Sequence, residues 1–197
     1  MRSVEVAAAA IFAAMASALT IFPIKIPSAW GMNLDLIGIP WLLCWMIFGV
    51  RPALLSVAIS GVVVSFVGRG LWVGALAKIA ATLWLIVVPE AFRKLAKLER
   101  KAFLFRKGMA GLSFALGTAV RCVVMFFLNL YVFCPLYLGM SPQQILEAFG
   151  NFLGFQGWLG FFVLISVWNI MQSVLDIGVS WPVGAGTVKA FGIKAGS

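Results

Sequence analysis

The sequence predicts an all-α membrane protein of six transmembrane helices, and three observations carry that prediction. Of its 197 residues, 63% are hydrophobic and only 11% charged, whereas soluble domains carry about 25% charged residues. Mean hydropathy is +1.07. Apolar runs broken by Pro, Gly and charge fall near 4 to 22, 36 to 50, 52 to 67, 71 to 91, 111 to 135 and 160 to 182. A hydrocarbon layer about 30 Å thick needs roughly 20 apolar residues per helix, so six spans with short loops leave no room for a sizeable soluble domain. Residues 1 to 197 are therefore read as a single transmembrane domain.

The first run follows Arg2 as a signal peptide would, but it is long and meets Pro23 and Lys25 without a clear cleavage context, so it reads as a retained helix. Its centre, AAAAIFAAMASA at 7 to 18, is mostly alanine, which inserts less favourably than leucine. The alanines form two rows with a four-residue step: Ala10, Ala14 and Ala18, and beside them Ala9, Ala13 and Ser17. Small residues at that spacing let helix backbones approach closely, either a partner protein or another helix of the same bundle.

The second and third runs are short and joined through GVRP at 49 to 52, where Pro52 can open a helix but not continue one. The fourth leads into RKLAKLERKAFLFRK at 93 to 107, which reads as a basic loop, with an anionic membrane surface or a cytoplasmic partner as sharper alternatives. After the fifth, Ser141, Pro142 and Gln144 stand as cap, first turn and capping-box partner, predicting a short external helix over 142 to 149 between helices 5 and 6.

Lys and Arg set the orientation, because cytoplasmic loops retain positive charge. With the N-terminus inside, Arg2, Arg51, the seven basic residues of 93 to 107, Lys189 and Lys194 are cytoplasmic, eleven in all against Lys25 and Arg69 outside. Both termini are thus expected in the cytoplasm. The net charge of +9 is mostly this topology signal rather than a nucleic-acid footprint.

Several chemistries are disfavoured. Histidine is absent, and Cys44, Cys122 and Cys134 lie singly in apolar runs, so no metal site, cofactor attachment or disulfide framework is expected. There is no GxxxxGK[ST] phosphate loop, no carboxylate pair at helical spacing and no nucleophile with a base, which argues against an enzyme.

A charged side chain at mid-span costs about 2.5 to 3.5 kcal/mol on insertion scales, so each asks for a partner or a purpose. Lys78, Asn129, Asn169 and Gln172 fall in the outer halves of predicted helices. At about 1.5 Å rise per residue, Lys78 lies roughly 10 Å and Asn169 roughly 14 Å below their outer ends, where they could converge on one cavity. Trp30, Trp72, Phe152, Phe155 and Trp158 cluster near the same end and suit a flat heteroaromatic ligand. Bland readings stand beside these: interfacial tryptophans, interhelical amide bonds and a snorkelling lysine. Arg121 and Asp176 fall nearer the inner half, on helices 5 and 6, and are expected to neutralise each other as a structural ion pair.

Taken in order, the alanine-rich first helix, LDLIGIP at 34 to 40 with FGVRPALL after it, GLWVGALAKIAATLWLIVVPEAF at 70 to 92, LNLYVFCPLYLGM at 128 to 140 and WNIMQSVLD at 168 to 176 resemble the substrate-binding S component of an energy-coupling factor (ECF) transporter, the riboflavin-type member most of all. The resemblance implies a multi-pass subunit of a prokaryotic cell membrane. Such a subunit captures a vitamin from outside and delivers it inward with a membrane T component and two cytoplasmic ATPases. It also implies that Ala9, Ala10, Ala13, Ala14, Ser17 and Ala18 face the T component. Asp35 and Pro40 match the acidic residue and proline opening the second helix, behind a loop that acts as a lid. Asn129 and Asn169 match ligand-side asparagines, and Asp35, Lys78, Asn129, Asn169, Gln172, Trp30 and Trp72 form the expected ligand set. This sequence departs from the pattern at Gln172, where lysine is usual, at Lys78, where a neutral amide is usual, at Gly38, where Asp or Asn is common, and at Asp176, where Asn is common. The competing readings are a solitary transporter or channel without ATPases and, less favoured, an intramembrane enzyme.

Overall fold

The computed structural model describes residues 1–21, 26–27, 33–67 and 71–191. Helices account for nearly all of it: α1 (Ser3–Ile21), α2 (Gly38–Phe48), α3 (Val50–Val67), α4 (Leu71–Thr82), α5 (Trp84–Leu95), α6 (Arg100–Phe105), α7 (Lys107–Leu128), α8 (Cys134–Leu138), α9 (Pro142–Phe149) and α10 (Gly157–Ala190). A small antiparallel pair that the sequence does not announce, β1 (Ile26–Pro27) and β2 (Asn33–Leu34), precedes α2.

Among the described residues, five segments are long and apolar enough to cross a membrane: Ser3–Ile21, Val50–Val67, Trp72–Leu95, Lys107–Leu138 and Gly157–Ala190. The second predicted run is different. It folds as the eleven-residue α2, about 16 Å long and so well short of the hydrocarbon thickness. Every residue from Gly38 to Ile47 is buried, as expected of a helix apolar on all sides and packed by neighbours rather than lipid. α1, α3 and α10 pack against it.

α2 supplies the larger core. Trp41, Leu42, Trp45 and Met46 pack with Leu85 and Ile86 of α5, Phe103 of α6 and Phe114 of α7. Each buried indole N–H has an acceptor: Trp41 Nε1 donates to Ser60 Oγ at 2.8 Å and Trp45 Nε1 to Glu90 Oε2 at 3.1 Å. Those bonds matter because an unmet polar group in hydrocarbon costs several kcal/mol. A second core gathers Met125, Phe126, Leu130 and Phe133 with Ile145 of α9 and Phe161, Leu164 and Ile165 of α10.

Local chemistry explains the breaks. α2 and α3 are joined by Gly49 alone, whose φ of +109° favours glycine. After α7 the chain makes a π-helical turn over Asn129–Phe133, with Cys134 N–H bonding back to Asn129 O, and Pro135 opens α8. The missing proline N–H is a common cause of such irregularity. The helix thus runs on to Leu138, past the expected end at 135. α10 likewise passes through Pro182 to Ala190, beyond the expected end at 182; membrane helices tolerate an internal proline when neighbours satisfy the freed carbonyl.

Two connecting segments are structured. Ser141 Oγ accepts from Gln144 N–H at 3.3 Å, and Gln144 Oε1 accepts from Ser141 N–H at 2.8 Å, a complete capping box at the start of α9. The basic segment read as a loop instead contains α6, with Phe103 and Leu104 buried and Leu104 O accepting from Trp181 Nε1 at 3.1 Å. Its aromatic and leucine residues draw the segment into the core despite the charges beside them.

Candidate functional site: a buried polar network and a small-residue face

The approach of α2 to α10 sets the site. A Cβ at Gly38 would lie 2.7 Å from both carboxylate oxygens of Asp176, so only glycine lets the two helices come this close. Gln172, one turn before Asp176, bonds the chain just ahead of α2. Asp35 N–H donates to Gln172 Oε1 at 3.0 Å, and Gln172 Nε2 donates to Asp35 O at 2.7 Å and to Asp176 Oδ1 at 2.8 Å. Asp35 Oδ1 accepts from Ile37 N–H at 3.0 Å and lies 2.7 Å from Lys78 Nζ of α4. The Lys78 ammonium is buried and, beyond that ion pair, has no hydrogen bond of adequate angle among the described residues.

Arg121 closes the network from α7. Its Nη1 lies 3.6 Å from Asp176 Oδ2, its Nε donates to Asn169 Oδ1 at 2.8 Å, and Nη1 reaches Ser173 Oγ at 3.4 Å. Arg121 is 1% exposed and Asp176 0%. A guanidinium suits this position because its fork serves several acceptors at once while staying charged. The sequence separates an outer set, Lys78, Asn169 and Gln172, from an inner pair, Arg121 and Asp176; the fold joins them through Gln172–Asp176 and Arg121–Asn169 contacts.

The other expected ligand residues fall elsewhere. Asn129 is buried in the second core, its Nδ2 donating to Met125 O at 2.7 Å, with Cys134 Sγ 4.0 Å from its Oδ1. Trp72 points outward at 53% exposed. Trp30 and much of the segment assigned as a lid lie outside the described residues, as do Lys25, Arg69 and Lys194. Sequence reasoning missed Ser173, whose four-residue spacing from Asn169 on α10 was the available signal.

On α1 the two rows part. Ala9 and Ala13 are buried at 0% and 2%, joined by Ala16 and Thr20, on the side packed against α2 and α3, and Ser17 is partly buried. The assignment of Ala9 and Ala13 to an outer surface is therefore corrected: their small size lets α1 sit close to its own bundle. Ala10, Ala14 and Ala18 are exposed, with Ala7, Ile11 and Met15 on the same stripe.

Compared with known proteins, the chain matches no family model and no curated protein. A solved structure of the S component of a bacterial ECF transporter aligns with a TM-score of 0.64 over 98% of this chain and 97% of that one, at 19% identity. The likeness is one of fold. Within this fold, the polar network joins the α2 entrance, α4, α7 and α10, and the exposed alanine row lies on the first helix.

Proposed function

We propose that the chain is the substrate-binding S component of an ECF-type importer in a prokaryotic cell membrane. In this reading it crosses the membrane six times with both termini cytoplasmic, the second crossing being made by α2 together with the segment that leads into it, since α2 alone is too short. It takes up a vitamin, riboflavin or a similar flat heteroaromatic, from outside. Binding involves no covalent step, and the energy for release comes from two cytoplasmic ATPases acting through a T component.

The observation that carries this reading is the buried Lys78 ammonium, paired with Asp35 yet holding N–H donors that no described residue accepts. It lies at the base of the segment leading into α2, where a ligand carbonyl or ring nitrogen would complete its hydrogen bonds. Lys78 and Gln172 both meet Asp35, which supports a positional exchange: the cation usual on the last helix is supplied from α4. Gly38 and Asp176 support a second exchange, since the Asp176 carboxylate occupies the space a side chain at 38 would take. The exposed Ala10, Ala14 and Ala18 row suits the T component, because small residues at this spacing admit a close helix.

The test is to purify the chain, denature it and identify the released small molecule by absorbance and mass spectrometry. A flavin spectrum is expected, and a colourless preparation releasing nothing would overturn the ligand assignment. Lys78→Met should weaken binding by about tenfold or more while the bundle still elutes as a folded species. Ala14→Leu should reduce co-purification of the T component and ATPases with ligand binding intact; unchanged assembly would reject the docking face.

A further inference from the structure

Where α2 meets α3, a cavity of about 220 Å³ has a charged lining of Glu5, Arg51, Glu90, Arg93, Lys94 and Arg100. The two acids are already engaged. Glu90 accepts from Arg93 at 3.1 and 2.7 Å and from Trp45, with Lys94 Nζ 3.8 Å away. Glu5 lies 3.7 Å from Arg2. Arg51 and Arg100 have no carboxylate within ion-pair distance among the described residues.

Arg100 is the unusual member. It is only 6% exposed, and its Nε and Nη1 are buried without a hydrogen-bond partner among the described residues. Its position is built by the backbone. At Gly49 a Cβ would stand 2.5 Å from Arg100 Nη2, so the guanidinium rests against a residue that has no side chain. Desolvation pushes the Arg100 pKa down, opposed by the charge of Glu90. Nε and Nη1 are closed off from the cavity, so what the cavity meets is the rest of the guanidinium beside the exposed Arg51, two cations without a carboxylate partner whose summed charge favours an anion. A water occupies about 30 Å³ of liquid, so the cavity admits a polyatomic ion.

We infer that this cavity binds a phosphate-class oxyanion between Arg51 and Arg100, with Lys94 adding charge at its edge. The chemistry is shared by free inorganic phosphate and by the phosphodiester headgroup of an anionic lipid. The site is separate from the polar network around Asp176, with which it shares no residue, and does not depend on the transport reading.

Two probes distinguish the sources. The full chain in detergent is titrated with inorganic phosphate by calorimetry. In parallel, nanodiscs of mixed phosphatidylglycerol and phosphatidylcholine are disassembled and retained lipid is read by native mass spectrometry. Saturable phosphate binding identifies the free ion. Retention of phosphatidylglycerol in preference to phosphatidylcholine, with no phosphate binding, identifies the headgroup. Either signal should fall about tenfold or more in Arg100→Gln and also weaken in Arg51→Gln, whose exposed side chain can be changed without opening the core. If Arg100→Gln fails to fold, Arg51→Gln decides alone. Absence of both signals in the native chain, or binding unchanged in Arg51→Gln, overturns the site.

Discussion

Two charge clusters occupy the bundle, one buried and one open to the surface through Arg51 and Lys94, and their balance differs. Around α10, Asp35 and Asp176 face Lys78 and Arg121, two acids against two bases, with Asn169, Gln172 and Ser173 bonded between them. At the α2–α3 junction, Glu5 and Glu90 face Arg51, Arg93, Lys94 and Arg100. The first cluster draws on residues as far apart as 35 and 176, so it exists only when the bundle is assembled. The closest pair in the second, Glu90–Arg93, is three residues apart on α5. A balanced, long-range network locks helices together, while a locally paired cluster with surplus cations is left able to take an anion.

The largest effect is expected in the balanced network. Arg121→Met leaves the Asp176 carboxylate buried without its cation and should cost about 3 to 5 kcal/mol of stability, read by thermal unfolding in detergent. Adding Asp176→Leu should restore most of that loss. A double variant no more stable than the single would show that the two residues do not act as a pair.

A smaller loss is expected at the other cluster. Glu90→Gln keeps an acceptor for Trp45 but removes the charge that Arg93 grips, and should cost about 2 kcal/mol in the same assay. Arg93 retains Leu98 O at 2.7 Å and is partly exposed, which limits the damage. A cost equal to that of Arg121→Met would erase the contrast between the clusters.

The smallest effect belongs to Lys94. Its side chain is 64% exposed and 3.8 Å from Glu90, so Lys94→Gln should change stability by less than about 1 kcal/mol. A larger change would mean that Lys94 is held more tightly than its exposure indicates.

The small residues of α1 show how far sequence reading reaches. Its alanine spacing marks a helix built for close approach, but two adjacent rows have equal claims when nothing says which side the bundle takes. Packing against α2 and α3 gave Ala9 and Ala13 to the interior and left Ala10, Ala14 and Ala18 outside. The same limit applies to the ligand residues. Asn129 and Asn169 look alike in sequence, yet Asn129 bonds Met125 O of its own helix while Asn169 also meets Arg121 across to α7. Trp72 could have faced a cavity or the lipid, and it faces outward.

Composition and pattern by themselves determined the all-helical membrane character, most helix positions and the capped α9, because these depend on local hydropathy and on groups a few residues apart. They also marked the intramembrane charges as needing partners, since burying an unpaired charge is costly wherever it falls. Only the tertiary structure decided who those partners are, that α2 lies buried on every side, and that the basic 93–107 segment folds inward. Each of these depends on contacts between residues distant in the chain: Asp176 reaches Gly38, Arg121 reaches Asn169, and Arg100 rests on Gly49 because a glycine there leaves it room.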